Sequence, residues 1–517
     1  MANPADSADG APRVLALPVG LDASGWRTET DSLGPVEVPA DHYWGAQTQR
    51  SLTHFSIGDD LMPGAVYRAL GYVKQACAIV NGRSGRLPSW KAELISQVAG
   101  EVIAGELDGE FPLHVWQTGS GTQSNMNVNE VIANRAIQLV GGELGSKRPV
   151  HPNDDVNAGQ STNDVFPTAM HIAATRALAE DVAPAVTRLR DAAAGKSELW
   201  AQVVKVGRTH LQDATPVTVG QEWSAYVGQL DGALAAIADA RPALERLAIG
   251  GTAVGTGLNA PPGFGDEVAA ELARLTGYGL RSDPNKFAAM ASIDAITRAS
   301  SALRNLAVVL FKFANDMRWL GSGPRAGLGE LLLPAGEPGS SIMPGKVNPT
   351  QAEAMMMICL QVMGNDTVAG MAGAEGNFQF NAFRPVAIAS LLHSARLLAD
   401  ASGTFREFLV DGARLNEARL AAYVDRSVMM VTALSPVIGY DKAAQIAHLA
   451  MSEDLTLRDA ALRAGVSAEL FDRVVVPERL TRPGTAGQDP GAPEPQAPQP
   501  QAPDRGTPGP GTPGTEG

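Results

Sequence analysis

Residues 296–320 read ITRASSALRNLAVVLFKFANDMRWL, and the spacing within them decides the architecture. Apolar or small side chains recur every three or four positions, at Ile296, Ser300, Leu303, Ala307, Leu310, Ala314, Met317 and Leu320. That is the period of a helix that buries one face against its neighbours. A second run, Trp223, Val227, Leu230, Leu234, Ile237, Leu244 and Leu247, has the same spacing. Residues 352–362, AEAMMMICLQV, are apolar nearly all round apart from Glu353 and Gln361. A helix of that kind must be covered on most sides, either in a large core or between subunits. Alternating strand patterns are scarce. The expected fold is therefore mainly α, with long packed helices joined by Gly/Pro-rich loops. Such wide apolar faces exceed what one small core can cover, which points to a homo-oligomer sharing a central bundle; a large monomer is the alternative.

Composition agrees with a globular chain. At about 100–200 residues per domain, 517 residues suggest about three domains. The 44% apolar and 19% charged content excludes wholesale disorder. With 41 basic against 55 acidic side chains the net charge is −14, and no dense Lys/Arg block stands out. Nucleic acid and anionic membrane are poor partners for such a chain. No uninterrupted apolar run is long enough for a membrane span. Cys77 and Cys359 can form neither a disulfide framework nor a thiol-ligated metal site, a usage that fits a reducing cytoplasm. Residues 1–24 carry Asp6 and Asp9 where a secretory signal would be basic, and Pro18 interrupts their apolar run, so a disordered leader is expected. Residues 483–517 hold 10 of the 35 prolines and almost nothing apolar, and should form an extended tail with no packed element.

Four polar, glycine-bearing segments interrupt the helical pattern. Residues 117–130, QTGSGTQSNMNVNE, concentrate hydroxyl and amide side chains around Ser120, Gly121 and Thr122. They read either as a loop and helix cap or as a carboxylate site at a helix N-terminus. Residues 148–164, RPVHPNDDVNAGQSTND, contain a turn-like HPND and then more donors ahead of a helix. Residues 207–216, GRTHLQDATP, set Thr209 and His210 among polar neighbours, so the histidine is either structural or catalytic. Residues 337–353, EPGSSIMPGKVNPTQAE, can only be a loop at first, given two glycines and three prolines, and they carry Ser340, Ser341, Lys346 and Asn348. Walker spacing, a GxSxG elbow, HExxH and CxxC are all missing, which argues against a phosphate loop, an α/β-hydrolase, and a zinc or iron–sulfur site.

Together these segments resemble the fumarase/aspartase superfamily of lyases, over about residues 28–482. The loop GSSIMPGKVNP (339–349) is close to its signature. Within the superfamily the chain is similar to the class II, iron-independent fumarases. His210 stands where aspartases typically carry glutamine, and Gly345 where they tend to carry alanine. EPGSS (337–341) and VPADHYWGAQTQRS (38–51) also look like fumarase. Thr162 and Gly159 depart from more usual serines without removing a catalytic group.

The resemblance implies a homotetramer of three-domain subunits, with a helical bundle shared at its centre and each active site built from loops of three subunits. The implied boundaries are 25–159, 160–417 and 418–482. The implied reaction is reversible hydration of fumarate to (S)-malate, with no metal and no cofactor. Ser340 would take the carbon-bound proton. Lys346 would be the cation that holds the resulting carbanion as an aci-carboxylate. His210, paired with Glu353, would handle the water. Ser120, Gly121, Thr122, Ser161, Thr162, Asn163, Thr209, Ser341, Val347 and Asn348 would line the substrate, together with Arg148. Arg148 and His151, Pro152, Asn153 and Asp154 match a second, non-catalytic carboxylate site. Aspartate ammonia-lyase is the nearest rival, and an inactive structural derivative or a scaffold organised by the proline-rich tail are the others.

Overall fold

A computed structural model describes residues 11–484. The expectations for residues 1–10 and for 485–517, most of the proline-rich tail, lie outside the described residues. Contacts divide the described residues into two compact units, 11–201 with 220–417, and 202–219 with 418–484.

The larger unit opens with an antiparallel hairpin, β1 (Trp26–Asp31) and β2 (Gly34–Pro39), followed by α1 (Ala46–His54), α2 (Gly64–Arg83) and α3 (Ser89–Ala104). Next come α4 (Thr122–Leu139), α5 (Thr162–Arg176) and α6 (Ala183–Leu199). The long members of the bundle are α7 (Val219–Leu244), α10 (Asp294–Leu320), α11 (Thr350–Ala374) and α12 (Arg384–Phe405), with α8 (Phe264–Thr276) and α9 (Lys286–Ala291) between α7 and α10. Every position of the α10 stripe is buried, from Ile296 to Leu320. Its one hydroxyl is satisfied, because Ser300 Oγ donates to Asp366 Oδ1 at 2.7 Å. Around it an aromatic cluster fills the bundle: Tyr226 stacks on Phe313, and Trp223 and Phe405 meet Phe313 edge-on. Each such burial is worth about 1.5–3 kcal/mol.

The second face of α11 is different. Met355, Cys359, Val362 and Ala369 are buried, whereas Met357, Leu360, Val368 and Met371 stand 65%, 59%, 39% and 69% exposed at helical spacing. The apolar-all-round segment is thus half covered by its own chain and half bare.

Three local results differ from the reading of the sequence. Residues 11–20 are tied to α4 rather than loose: Leu15 N donates to Leu139 O, and buried Arg135 donates to Leu17 O and Pro18 O. Tyr43 Oη, in turn, donates to Gly20 O. Residues 202–219, assigned above to the central helical domain, cluster with the C-terminal unit, while 25–159 cluster with the bundle. And the GRTHLQDATP segment lies in a hairpin, β3 (Val204–Thr209) against β4 (Gln212–Thr218), with a bulge near Gly207.

The smaller unit combines this hairpin with α13 (Glu417–Arg426), α14 (Ser435–Ile438), α15 (Tyr440–Ser452), α16 (Leu457–Arg463) and α17 (Ala468–Val474). Val206, Met430, Leu434, Ile446, Leu457 and Phe471 form part of its core. Among the described residues no helix is long and apolar enough to cross a membrane.

Candidate active site

The first two polar segments converge inside the larger unit. Gly121 caps α4 in the left-handed region (φ 76°), and a Cβ there would lie 2.4 Å from the Phe166 ring of α5. Glycine is required by both the dihedral and the contact. Ser120 Oγ lies 2.7 Å from Thr122 Oγ1 and accepts from Thr122 N. At the neighbouring helix Ser161 caps α5 reciprocally with Asp164: Asn163 N donates to Ser161 Oγ, and Ser161 N to Asp164 Oδ1. Asn125 Nδ2 bridges the two, donating to Thr162 Oγ1 at 3.0 Å. Ser120, Gly121, Thr122, Ser161, Thr162 and Asn163 therefore form one donor-rich patch where two helix dipoles begin, which favours a carboxylate.

Behind this patch lie groups that motif reading did not single out. Asp164 is fully buried and accepts from Gly250 N and Thr252 N as well as Ser161 N. Burial pushes its carboxyl up to about 6, against those amides and Lys74. Asn163 Nδ2 donates to Ala253 O, so the loop after α7 is held from both sides. Buried Arg384 donates to Asn163 O and Met290 O, while its own N–H bonds Gly119 O. The signal was present in GGTAVGTG (250–257), whose glycines permit this close approach: a Cβ on Gly250 would sit 2.6 Å from Gly265 Cα.

Residues 337–349 form an irregular, largely exposed loop ahead of α11. Ser340 Oγ accepts from Ile342 N at 3.2 Å and Met343 N at 3.0 Å. Asn348 Nδ2 donates to Gly339 O, closing the loop's neck. A Cβ on Gly339 would lie 2.0 Å from Lys346 O, so that neck tolerates only glycine. Ser341, Lys346 and Val347 point outward, and Glu353 is exposed in the first turn of α11. Among the described residues no hydrogen bond joins this loop to the α4–α5 patch.

In the smaller unit, His210 and Leu211 are the two central residues of the β3–β4 turn, at φ 58° and 60°. That is the left-handed pair of a type I′ hairpin, where Asn-Gly is preferred. Both side chains are exposed, and Thr209, beside them, pairs with Gln212. Strain of this kind gathers at functional positions.

The HPND segment forms a single turn, 152–156, capped by His151, whose Nδ1 accepts from Asn153 N and Asp154 N at 3.1 Å each. Those bonds place the proton on Nε2. The Asn153 and Asp154 amides are thus occupied by the imidazole, and Arg148 is exposed nearby in sequence. Among the described residues no group of three or more His, Cys, Asp or Glu could hold a metal ion.

Comparison with known proteins assigns first the class and then the family. Residues 34–364 match the family described as Lyase, and residues 430–482 match Fumarase C C-terminus. Curated relatives include a class II fumarate hydratase of Methanosarcina acetivorans, 63% identical over 91% of this chain and 97% of that protein. Another, from Thermosynechococcus vestitus, is 58% identical over 87% of this chain and 96% of its own. A crystal structure of a class II fumarase from Schistosoma mansoni superposes with a TM-score of 0.87 at 43% identity, covering 89% of this chain and all of that one. The chain belongs to the class II fumarate hydratase family.

Proposed function

We propose that the protein catalyses the reversible hydration of fumarate to (S)-malate, as a homotetramer whose active sites draw on several subunits. The observation that carries this reading is the setting of Ser340. Its oxygen accepts two backbone amides, Ile342 N and Met343 N, which favour the alkoxide over the hydroxyl. An unassisted serine is too weak to remove a proton from carbon; one whose negative charge is already matched, on the same loop as Lys346, is a competent base.

In the dehydration direction Ser340 takes the proton from the carbon next to a carboxylate. The charge left behind moves onto that carboxylate, which Lys346 and Asn348 neutralise. One such prearranged donor is commonly worth about 2.7–4 kcal/mol. Ser120, Thr122, Ser161, Thr162, Asn163, Ser341 and the loop amides hold the dianion, with Gly121 and Val347 shaping the backbone around it. His210, carried on its strained turn beside Thr209 and paired with Glu353 of another subunit, delivers or removes water at the second carbon. Loop 337–349 closes over the substrate and excludes bulk water.

The bare α11 stripe of Met357, Leu360, Val368 and Met371 supports the assembly, since contiguous exposed apolar surface marks an interface. Arg148, with the Nε2–H of His151 and the side-chain amide of Asn153, on the turn that includes Pro152 and Asp154, is assigned to a second carboxylate site. A reducing compartment such as the cytoplasm suits Cys77 and Cys359, both buried and unpaired. The test is ultraviolet loss of fumarate on purified, chelator-treated protein. Turnover is expected in the native chain and a loss of at least about 100-fold in Ser340→Ala. Native-like turnover by a folded Ser340→Ala would remove the proposed base.

A further inference from the structure

Lys74 lies on α2, away from every motif above, and is completely buried. A buried lysine is ordinarily paired with a carboxylate. This one is not: its Nζ donates at 2.9 Å to Asn157 Oδ1 and at 2.9 Å to Gln160 Oε1, two neutral amides. The charged or titratable groups acting on it are Cys77, one turn along α2, and Asp164 on α5. Asp164 spends its own oxygens on the Ser161, Gly250 and Thr252 amides.

Both amides held by Lys74 stand in the short segment that runs into the Ser161 cap. Asn157 Oδ1 also accepts from Asn125 Nδ2 and Asn129 Nδ2 of α4 at 3.3 Å each, and Asn125 reaches on to Thr162 Oγ1. Asn157 Oδ1 is therefore the junction between α4 and the segment leading into α5, and the ammonium is one of its three donors, holding that segment a second time through Gln160. The ammonium's positive charge is added to that of two helix dipoles, and Asp164 attracts it without a direct hydrogen bond between them.

We propose that Lys74 is a positioning residue for substrate binding, whose buried ammonium, hydrogen-bonded to two neutral amides and to no carboxylate, aligns the α4 and α5 N-termini and supplies positive potential to a dicarboxylate bound there. This deepens the fumarate reading and rests on it. Burial costs the charge its hydration and, against the opposing pull of Cys77 and Asp164, lowers the lysine to about 7. The bound dianion repays that cost from the front of the patch. An acidic chain of net charge −14 needs such a local source of attraction.

The test separates charge from packing. Lys74→Met removes the charge, Lys74→Arg keeps it, and Asn157→Asp leaves the lysine in place but gives it a carboxylate partner. Fumarate KM and kcat are measured on each folded tetramer, together with the Kd of succinate as an unreactive dicarboxylate. The expected pattern is a rise of about tenfold or more in KM and in succinate Kd for Lys74→Met and Asn157→Asp, which is about 1.4 kcal/mol. Lys74→Arg should stay within about threefold, and kcat within about threefold throughout. A folded Lys74→Met or Asn157→Asp whose KM stays within twofold of the parent overturns the proposal, as does loss confined to kcat. Should neither variant fold, the lysine is structural and the proposal also fails. A native chain that neither hydrates fumarate nor binds succinate would instead refute the underlying functional reading.

Discussion

Gly119→Ala is the most telling single perturbation of the binding patch. A Cβ built on Gly119 would lie 1.5 Å from Ala382 O, with Ala382 C at 2.3 Å and Cα at 2.9 Å. All three are backbone atoms, so no side chain can swing aside. Real Cβ contacts do not fall below 3.0 Å, so the two strands of chain must part by about 1.5 Å. That movement breaks the 3.2 Å bond from Arg384 N to Gly119 O and pulls Ser120–Thr122 away from Ser161–Asn163. The lost bond and the strain together should cost about 2–4 kcal/mol of stability. Misplacing binding groups by about 1 Å costs about 100-fold in rate. The assay is kcat/KM for fumarate on variant shown by circular dichroism to be folded, alongside its thermal midpoint. A folded Gly119→Ala within threefold of the parent would mean that this patch does not touch the substrate.

Other expectations follow from separate features. Leu211→Gly should relieve the left-handed strain at the hairpin and stabilise the folded chain by about 1 kcal/mol or less, seen as a raised urea midpoint; a lowered midpoint would contradict it. Glu130 is buried and accepts from Gly45 N, Gln47 N, Thr48 N and Thr48 Oγ1, yet burial still pushes it up to about 7. The folded state then keeps its proton where the unfolded chain, near the ordinary carboxylate value of 4.5, has released it. This group's contribution is fully present at the acid end and declines as pH rises from about 4.5 to about 7, by roughly 3 kcal/mol. Glu130→Gln should flatten that slope in urea unfolding between pH 5 and 7, and an unchanged slope would show the carboxylate ionised throughout. Leu360→Arg on the bare face of α11 should release smaller species in light scattering; a variant of undiminished mass would exclude that face from the interface.

Much of this architecture was legible because helix burial follows period. The eight α10 positions picked by spacing are all buried, and Ser300, the one polar member, is explained by a partner, Asp366, that only the folded chain supplies. The loop at 337–349 was legible from its prolines and glycines. Other features were not, for identifiable reasons. The 204–218 hairpin turns on His-Leu in place of Asn-Gly, so the usual turn signal is missing. Lys74 and Arg384, and Asp164 in its bonds to Gly250 and Thr252, act through long-range contacts that leave no local pattern; a lysine at a helix position reads as solvated until its burial is seen. The docking of residues 11–20 depends on Arg135, more than a hundred positions away. Segments 148–164 and 117–130 read separately as caps, and the bonds that make them one patch, from Asn125 to Thr162 and from Asn125 and Asn129 to Asn157, exist only in the folded chain.

The central claim is that Ser340, Lys346 and His210 serve one dicarboxylate from different copies of the chain. Its most direct test mixes two inactive variants, His210→Asn and Lys346→Met, by unfolding and refolding them together. If sites are shared between subunits, some sites in the mixed tetramers contain neither lesion, and fumarate turnover returns well above that of either variant refolded alone. If the mixture stays as inactive as its components while a native control refolds to full activity, the three groups belong to a single chain and the shared site is wrong.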